Sequence, residues 1–191
     1  MQKHNTQAKL AFKEILMPAL SLFVICLAIA GALAVVNSMT MSPIAANATK
    51  DADEARQVIF PGARFVDEGG YFTAMDQNGT LIGYCIDSGA QGFGGTINVT
   101  VGLDSEGNVL KVQVVSCDGE TPGLGQKVKD EGFLAQFVGS SFFLKGDIGV
   151  SSATPIDGIA SATYSSRGVV NAVNQAKQIW SEQIYAGGEP Q

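Results

Sequence analysis

The sequence has almost no histidine and little cysteine. Its one histidine is His4, and its three cysteines, Cys26, Cys85 and Cys117, form no CxxC pair. The common zinc and iron–sulfur sites need such pairs or several histidines, so we expect no metal site. A Ser-His-Asp or Cys-His catalytic centre is excluded as well, because His4 lies in the N-terminal tail. The sequence shows no cluster of catalytic acids and bases, and we expect no catalytic residue.

Charge is also scarce. Charged residues make up 16% of the 191 residues, whereas an ordinary soluble domain has roughly 25%. The 12 basic and 18 acidic residues give a net charge of −6. An acidic chain is a poor candidate for binding nucleic acid, so we expect no nucleic-acid partner.

An apolar run explains the missing charge. Residues 15–36 contain no charged side chain. As a helix this run would be roughly 33 Å long, enough to cross a hydrocarbon core of ~30 Å. A cleaved signal peptide is the alternative, with Ala46-Asn47-Ala48 as its cleavage site. Because the apolar core of a signal peptide has only about 7–15 residues, we favour a retained transmembrane anchor.

Basic residues predict the orientation of this anchor. Lys3, Lys9 and Lys13 precede it, and no Lys or Arg lies between it and Lys50. The positive-inside rule then makes residues 1–14 a cytoplasmic tail. We predict a single-pass protein of the inner or cytoplasmic membrane, with an extracytoplasmic C-terminal domain. Residues 37–50 are predicted to be a linker, residues 51–187 the domain and residues 188–191 a frayed tail.

Cys85 and Cys117 would both lie in the extracytoplasmic compartment, where disulfides form. Both adjoin strand-like stretches, in which a buried free thiol fits equally well. Whether they pair stays open.

Two hairpins are predicted in the domain. Strands at residues 71–74 and 81–86 flank Asp76-Gln77-Asn78-Gly79, whose Asn-Gly pair is typical of a hairpin turn. Strands at residues 96–103 and 109–115 flank a second turn at residues 104–108. In the third of these strands apolar residues alternate, which predicts one buried face formed by Ile97, Val99, Val101 and Leu103.

Three helices are predicted around the strands. A short one precedes Pro61-Gly62, and a second covers residues 126–138 with Val128, Phe133, Leu134 and Phe137 inward. The last runs from about Ser165 to Ile184, with an apolar stripe of Val169, Val173, Ala176 and Trp180. Hairpins followed by helices indicate an α+β domain.

Three short motifs stand out between these elements. Gly92-Phe93-Gly94-Gly95 precedes a strand, so it is neither a dinucleotide fingerprint nor a P-loop, and we interpret it as a tight turn needing positive φ. Glu120-Thr121-Pro122-Gly123-Leu124-Gly125 is a stiff loop whose glycines permit close approach of a flat ligand, and taken alone it fits a simple turn better.

The third motif, residues 157–167, opens the last helix and is rich in hydroxyl groups. One interpretation is an N-cap by Ser165 or Ser166. The other is a phosphate held against the helix start, which would also offset Arg167 in the first turn. The residues alone leave both open.

The chain combines an anchored domain with three motifs in the order GFGG, ETPGLG and DGIASATYSS. In this combination it resembles the small flavin-bearing G subunit of Rnf-type ion-translocating oxidoreductase complexes. It is similar too to the C subunit of the sodium-translocating NADH:quinone reductase. In that family FMN is joined by a phosphoester to the threonine that ends D-x-x-[ST]-G-A-T. The match implies Thr163 as the covalent FMN site. The sequence departs from the pattern at Ala160, where Ser or Thr is usual, and at Ser161, where Gly is usual.

The resemblance implies an electron-carrying redox subunit of a translocase that couples ferredoxin and NAD chemistry to ion pumping. Its partners would be the other subunits of the complex, and a flavin transferase for maturation. Besides Thr163, the residues expected near FMN are Glu120, Thr121, Leu124, Gly125, Ser161, Ala162, Ser165 and Arg167. The quinone-reductase subunit, a stand-alone anchored flavoprotein and a non-enzymatic anchored interaction domain are the alternatives.

Overall fold

The computed structural model describes residues 3–147 and 152–185, with side chains at 16–41, 47–147 and 152–185. The chain divides into two compact units, one up to residue 47 and one from residue 48 onwards. The predicted tail at 188–191 lies outside the described residues.

A single long helix, α1, covers Lys3–Ile59. Its segment Leu16–Met41 has a mean hydropathy of 2.8 and is long and apolar enough to cross a membrane. This confirms the N-terminal apolar helix. The helix ends just before Pro61-Gly62, as predicted, and Gly62 has a positive φ of 75°. The separate short helix predicted before this point is wrong, because the stretch is the end of α1.

Residues 37–50, which we expected to form a linker, belong to α1. Two hydroxyl side chains there bond back to the helix. The Ser38 hydroxyl donates to the Val35 carbonyl at 2.8 Å, and the Thr40 hydroxyl donates to the Val36 carbonyl at 2.7 Å. The domain limits of 51 and 187 stay a prediction.

An antiparallel sheet of five strands follows, with the strands paired in chain order. They are β1 (Arg64–Asp67), β2 (Phe72–Met75), β3 (Leu81–Gln91), β4 (Thr96–Leu103) and β5 (Val109–Ser116). Both predicted hairpins are confirmed as β2–β3 and β4–β5. Strand β1 was not predicted.

The apolar face of β4 is buried as its alternation predicts. Ile97, Val99, Val101 and Leu103 are at most 1% exposed. The opposite face is also covered at its centre, where Gly102 lies so close to Ile59 that an added Cβ would be 2.2 Å from Cγ2 of Ile59. The last turns of α1 therefore pack on one side of the sheet, within the second unit.

The single helix predicted at residues 126–138 is wrong. A 3₁₀ helix, Gly125–Lys129, and one α-helical turn, α2 (Glu131–Leu134), stand in its place. Asp130 separates them with extended backbone, ψ 131°. The inward residues are nevertheless correct, since Val128, Phe133, Leu134 and Phe137 are all buried. Apolar spacing thus predicted which side chains face the core, but not the backbone between them.

The last helix, α3, covers Thr163–Trp180 and continues in a π-helical turn, Ser181–Tyr185. Its predicted stripe is buried against β3 and β4 in the same core. A small parallel pair, β6 (Phe142–Leu144) and β7 (Thr154–Ile156), was not predicted. Sheet and helices together confirm the α+β class.

Candidate functional site

The three motifs meet at the N-terminal end of α3. There a cavity of about 160 Å³ is lined by Phe93, Thr121, Leu124, Gly125, Ser161, Ala162, Thr163, Tyr164 and Ser165. Seven of the nine residues expected near FMN line it. The other two expected residues do not line the cavity: Glu120 lies behind its wall, and Arg167 lies further along α3.

The start of α3 leaves backbone N–H groups free. Thr163 is its first residue, Ala162 is the N-cap, and no side chain caps the helix. The first helical hydrogen bond runs from the Ser166 N–H to the Ala162 carbonyl at 2.9 Å. The N–H groups of residues 163–165 therefore have no acceptor within the helix, and α3 can hold an anion here.

Of the two interpretations left open for this motif, the N-cap by Ser165 or Ser166 is wrong, because both serines lie inside the helix and are buried. The Ser166 hydroxyl donates to the Ala162 carbonyl at 3.0 Å and accepts from the Ile159 N–H at 3.0 Å. It thereby fixes the turn that leads into α3. The Ser165 hydroxyl donates to Glu120 Oε2.

Backbone strain lies immediately before the helix. Ser161 has φ 63°, and within the described ranges it alone among non-glycine residues has positive φ. A side chain with a Cβ rarely adopts this conformation. The preference for Gly that the resemblance implies at this position thus has a physical cause in the turn.

The turn at residues 92–95 joins β3 to β4, and the Gly92 N–H donates to the Gly95 carbonyl at 2.8 Å. The expected positive φ is wrong, since none of its glycines has one. Glycine is needed for close approach instead. A Cβ on Gly94 would lie 1.7 Å from the Gly119 carbonyl oxygen.

Phe93, in this turn, was missed as a site residue. Its side chain is 68% exposed although it lines the cavity. A large aromatic residue between glycines in a tight turn was the available signal. Tyr164, 64% exposed, is a second exposed aromatic residue at the cavity.

Arg167 has a different partner from the one expected. Its guanidinium donates two hydrogen bonds to Asp147, Nε to Oδ2 at 2.9 Å and an Nη to Oδ1 at 2.7 Å. These bonds lower the pKa of Asp147 and raise the pKa of Arg167. Asp147 thus supplies the anion that Arg167 needs in the first turns of α3.

The thiols take no part in the cavity. Cys85 and Cys117 are both buried and free. Burial raises the pKa of Cys85 to about 12, and burial also raises the pKa of Cys117. Among the residues that the structure describes, no group of His, Cys, Asp and Glu could hold a metal ion.

The cavity fits part of an FMN. It offers an exposed hydroxyl at Thr163 and free N–H groups for a phosphate, with Leu124 and two aromatic side chains for a flat ring. None of the described residues that line it carries a charge. Since a cavity that encloses such a ligand has about 300–1,000 Å³, the ring would lie partly outside, against Phe93 and Tyr164.

The cavity lies within a segment that matches a known protein family. The FMN-binding domain family matches residues 92–178, which contain all three motifs. The chain is 27% identical to the G subunit of the ion-translocating oxidoreductase complex of Methanosarcina acetivorans, over 90% of this chain and 97% of that protein. It is 26% identical to the G subunit of the Na(+)-translocating ferredoxin:NAD(+) oxidoreductase complex of Acetobacterium woodii, over 91% and 95% of the two chains.

A solved structure shares the fold. It is the C subunit of the Na(+)-translocating NADH-quinone reductase of Parabacteroides distasonis, 23% identical, with a TM-score of 0.50 over 59% of this chain and 60% of that one. Residues 92–178 of the chain therefore match the FMN-binding domain family, and the chain is similar over most of its length to the G subunits of ion-translocating oxidoreductase complexes.

Proposed function

We propose that this protein is the membrane-anchored electron-transfer subunit of an Rnf-type complex that couples electron flow between ferredoxin and NAD to ion translocation. FMN is held by a phosphoester on Thr163. The observation that carries this proposal is the position of Thr163. It is an exposed residue that begins an uncapped helix at the edge of a cavity built from three separate loops.

Each part of the cavity has a distinct task. The Thr163 hydroxyl provides the ester oxygen, and the free N–H groups of residues 163–165 hold the remaining phosphate oxygens. Leu124 and Phe93 pack against the ring. FMN, when bound, supplies the capacity to accept and release electrons, and the protein positions and tunes it.

The cavity contains no group that would act as an acid or a base on a substrate. Its lining side chains are apolar, aromatic or hydroxyl-bearing. We therefore assign it to electron transfer between partner subunits, with no active site of its own.

The compartment follows from the anchor. The three lysines before it place residues 1–14 in the cytoplasm and the flavin domain outside the cytoplasm. A covalent bond suits such a site, since FMN lost there is not readily replaced. A flavin transferase attaches the cofactor, and the remaining subunits of the complex donate and accept its electrons.

The attachment site is tested by removing single hydroxyl groups. Thr163→Val, coexpressed with a flavin transferase, should reach the membrane without flavin, because valine preserves the size of threonine but has no ester oxygen. Thr121→Val makes the same change at another residue of the cavity, and Ser165→Ala removes a neighbouring hydroxyl. Both should still carry covalent flavin.

The readout is fluorescence under ultraviolet light after a denaturing gel, which retains only covalent flavin. A fluorescent Thr163→Val band would move the attachment elsewhere. A dark wild-type band made with an active transferase would remove covalent attachment altogether. Fluorescent protein that copurifies with no multispan subunit would favour a stand-alone flavoprotein.

A further inference from the structure

Glu120 is a buried acid without a cation. Its side chain is 2% exposed, and no described Lys or Arg forms an ion pair with it. Among the residues with described side chains, the other buried charged one is Arg56, which has two carboxylate partners, Asp53 and Asp87. Burial of a carboxylate is costly unless hydrogen bonds compensate it, so this position needs an explanation.

Two hydrogen bonds hold the Glu120 carboxylate. The Gly94 N–H donates to Oε1 at 3.1 Å, and the Ser165 hydroxyl donates to Oε2. Gly94 is 26 residues before Glu120 and Ser165 is 45 residues after it. One side chain thus links the β3–β4 turn, the loop after β5 and the first turn of α3, which are the three walls of the cavity.

The neighbouring glycines leave room for this carboxylate. A Cβ on Gly92 would lie 2.3 Å from Glu120 Oε1. A Cβ on Gly125 would lie 2.8 Å from Oε2 and 2.9 Å from the Ser165 hydroxyl oxygen. Because Gly125 and Ser165 both line the cavity, the carboxylate lies directly behind its wall.

We infer that Glu120 is a positioning residue with two effects: its hydrogen bonds fasten the three loops into one cavity, and its charge lowers the midpoint potential of the flavin. The second effect rests on the proposed function. A buried negative charge opposes the gain of electrons by a nearby group, and poor screening strengthens this repulsion. Arg167, the cation on the same end of α3, is already paired with Asp147.

Two substitutions separate fastening from charge. Glu120→Gln removes the charge but keeps both hydrogen bonds, since its amide oxygen accepts from Gly94 and its NH₂ group donates to the Ser165 hydroxyl. Glu120→Ala removes the charge and both hydrogen bonds. Ser165→Ala removes one bond and keeps the charge, and Glu68→Gln, at an exposed acid, is the matched control.

The experiment uses the full-length chain in detergent, with and without coexpressed flavin transferase. In the flavin-free protein, the rate of hydrogen exchange at the Gly94 amide measures how firmly Glu120 holds the β3–β4 turn in place. We expect roughly tenfold faster exchange in Glu120→Ala, the effect of losing one hydrogen bond to a charged group. Exchange in Glu120→Gln should lie between the Glu120→Ala and wild-type rates, because a neutral amide oxygen accepts a weaker hydrogen bond, and Glu68→Gln should exchange as the wild type does.

In the flavin-loaded protein, the midpoint potential measures the charge. Glu120→Gln should shift it to a more positive value, whereas Ser165→Ala and Glu68→Gln should show no positive shift. An unchanged potential in Glu120→Gln would overturn the electrostatic effect. Unchanged Gly94 exchange in Glu120→Ala would overturn the fastening. Wild-type protein that carries no flavin would contradict the proposed function instead. The exchange rates would still decide whether Glu120 holds the three loops together.

Discussion

Relief of the strain at Ser161 should stabilise the domain. Ser161 has φ 63° and an exposed side chain that makes no hydrogen bond to any described residue. Ser161→Gly therefore removes an unfavourable Cβ and no hydrogen bond to a described residue. It also restores the residue that the flavin-attachment pattern prefers at this position.

The change in the free energy of unfolding is the difference between two contributions. The left-handed conformation costs a residue with a Cβ roughly 1–2 kcal/mol. Glycine gains more conformational freedom on unfolding, which costs about 0.5–1 kcal/mol. The free energy of unfolding should then rise by about 0.75 kcal/mol at the midpoints of the two ranges, between limits of about 0 and 1.5 kcal/mol.

Urea unfolding followed by the fluorescence of Trp180 measures this change. Trp180 is the one tryptophan of the chain and is 7% exposed, so its signal reports the domain core. Ser105→Gly is the matched control, at an exposed turn residue without positive φ, and should lower the free energy of unfolding by about 0.4–1 kcal/mol. Ser161→Ala keeps the Cβ and should give no gain. A Ser161→Gly protein no more stable than Ser105→Gly would refute the strain argument.

Four further outcomes are expected. A membrane-impermeant thiol reagent, added to intact cells or spheroplasts, should not label a cysteine that replaces Asn5 and should label one that replaces Ser105. The reverse result would contradict the predicted orientation of the anchor. Leu124→Arg should shift or broaden the flavin absorption band while FMN stays attached, and an unchanged spectrum would make the ETPGLG loop a simple turn. Cys85 should not react with iodoacetamide at pH 8 in the folded protein, because burial raises its pKa to about 12; labelling before unfolding would contradict that. Arg167→Gln should leave covalent flavinylation intact because Arg167 is paired with Asp147, and loss of gel fluorescence would return it to the flavin site.

The four hairpin strands β2 to β5 could be predicted because their signals are local. The alternation at Ile97, Val99 and Val101 and the Asn-Gly turn before β3 each depend on a few neighbouring residues. The helix predicted at residues 126–138 failed because apolar spacing reports only which side chains face the core. Extended backbone at Asp130 leaves that spacing intact while interrupting the helix.

The site was predictable as a set of motifs but not as an arrangement. Thr163, Thr121 and Leu124 came from the resemblance, and the structure brings them to one cavity. The link between Glu120 and Ser165 joins residues 45 positions apart, so only the folded chain shows it. In the same way, the pairing of Arg167 with a loop residue depends on packing that no local pattern encodes.

The mass of the intact, denatured protein tests the central claim most directly. Wild-type chain coexpressed with a flavin transferase should exceed its sequence mass by one FMN less one water, and tryptic mapping should place the addition on the peptide that contains Thr163. Chain made without the transferase should have the sequence mass alone. An unmodified mass in the presence of an active transferase, or an addition on any other residue, would contradict the account.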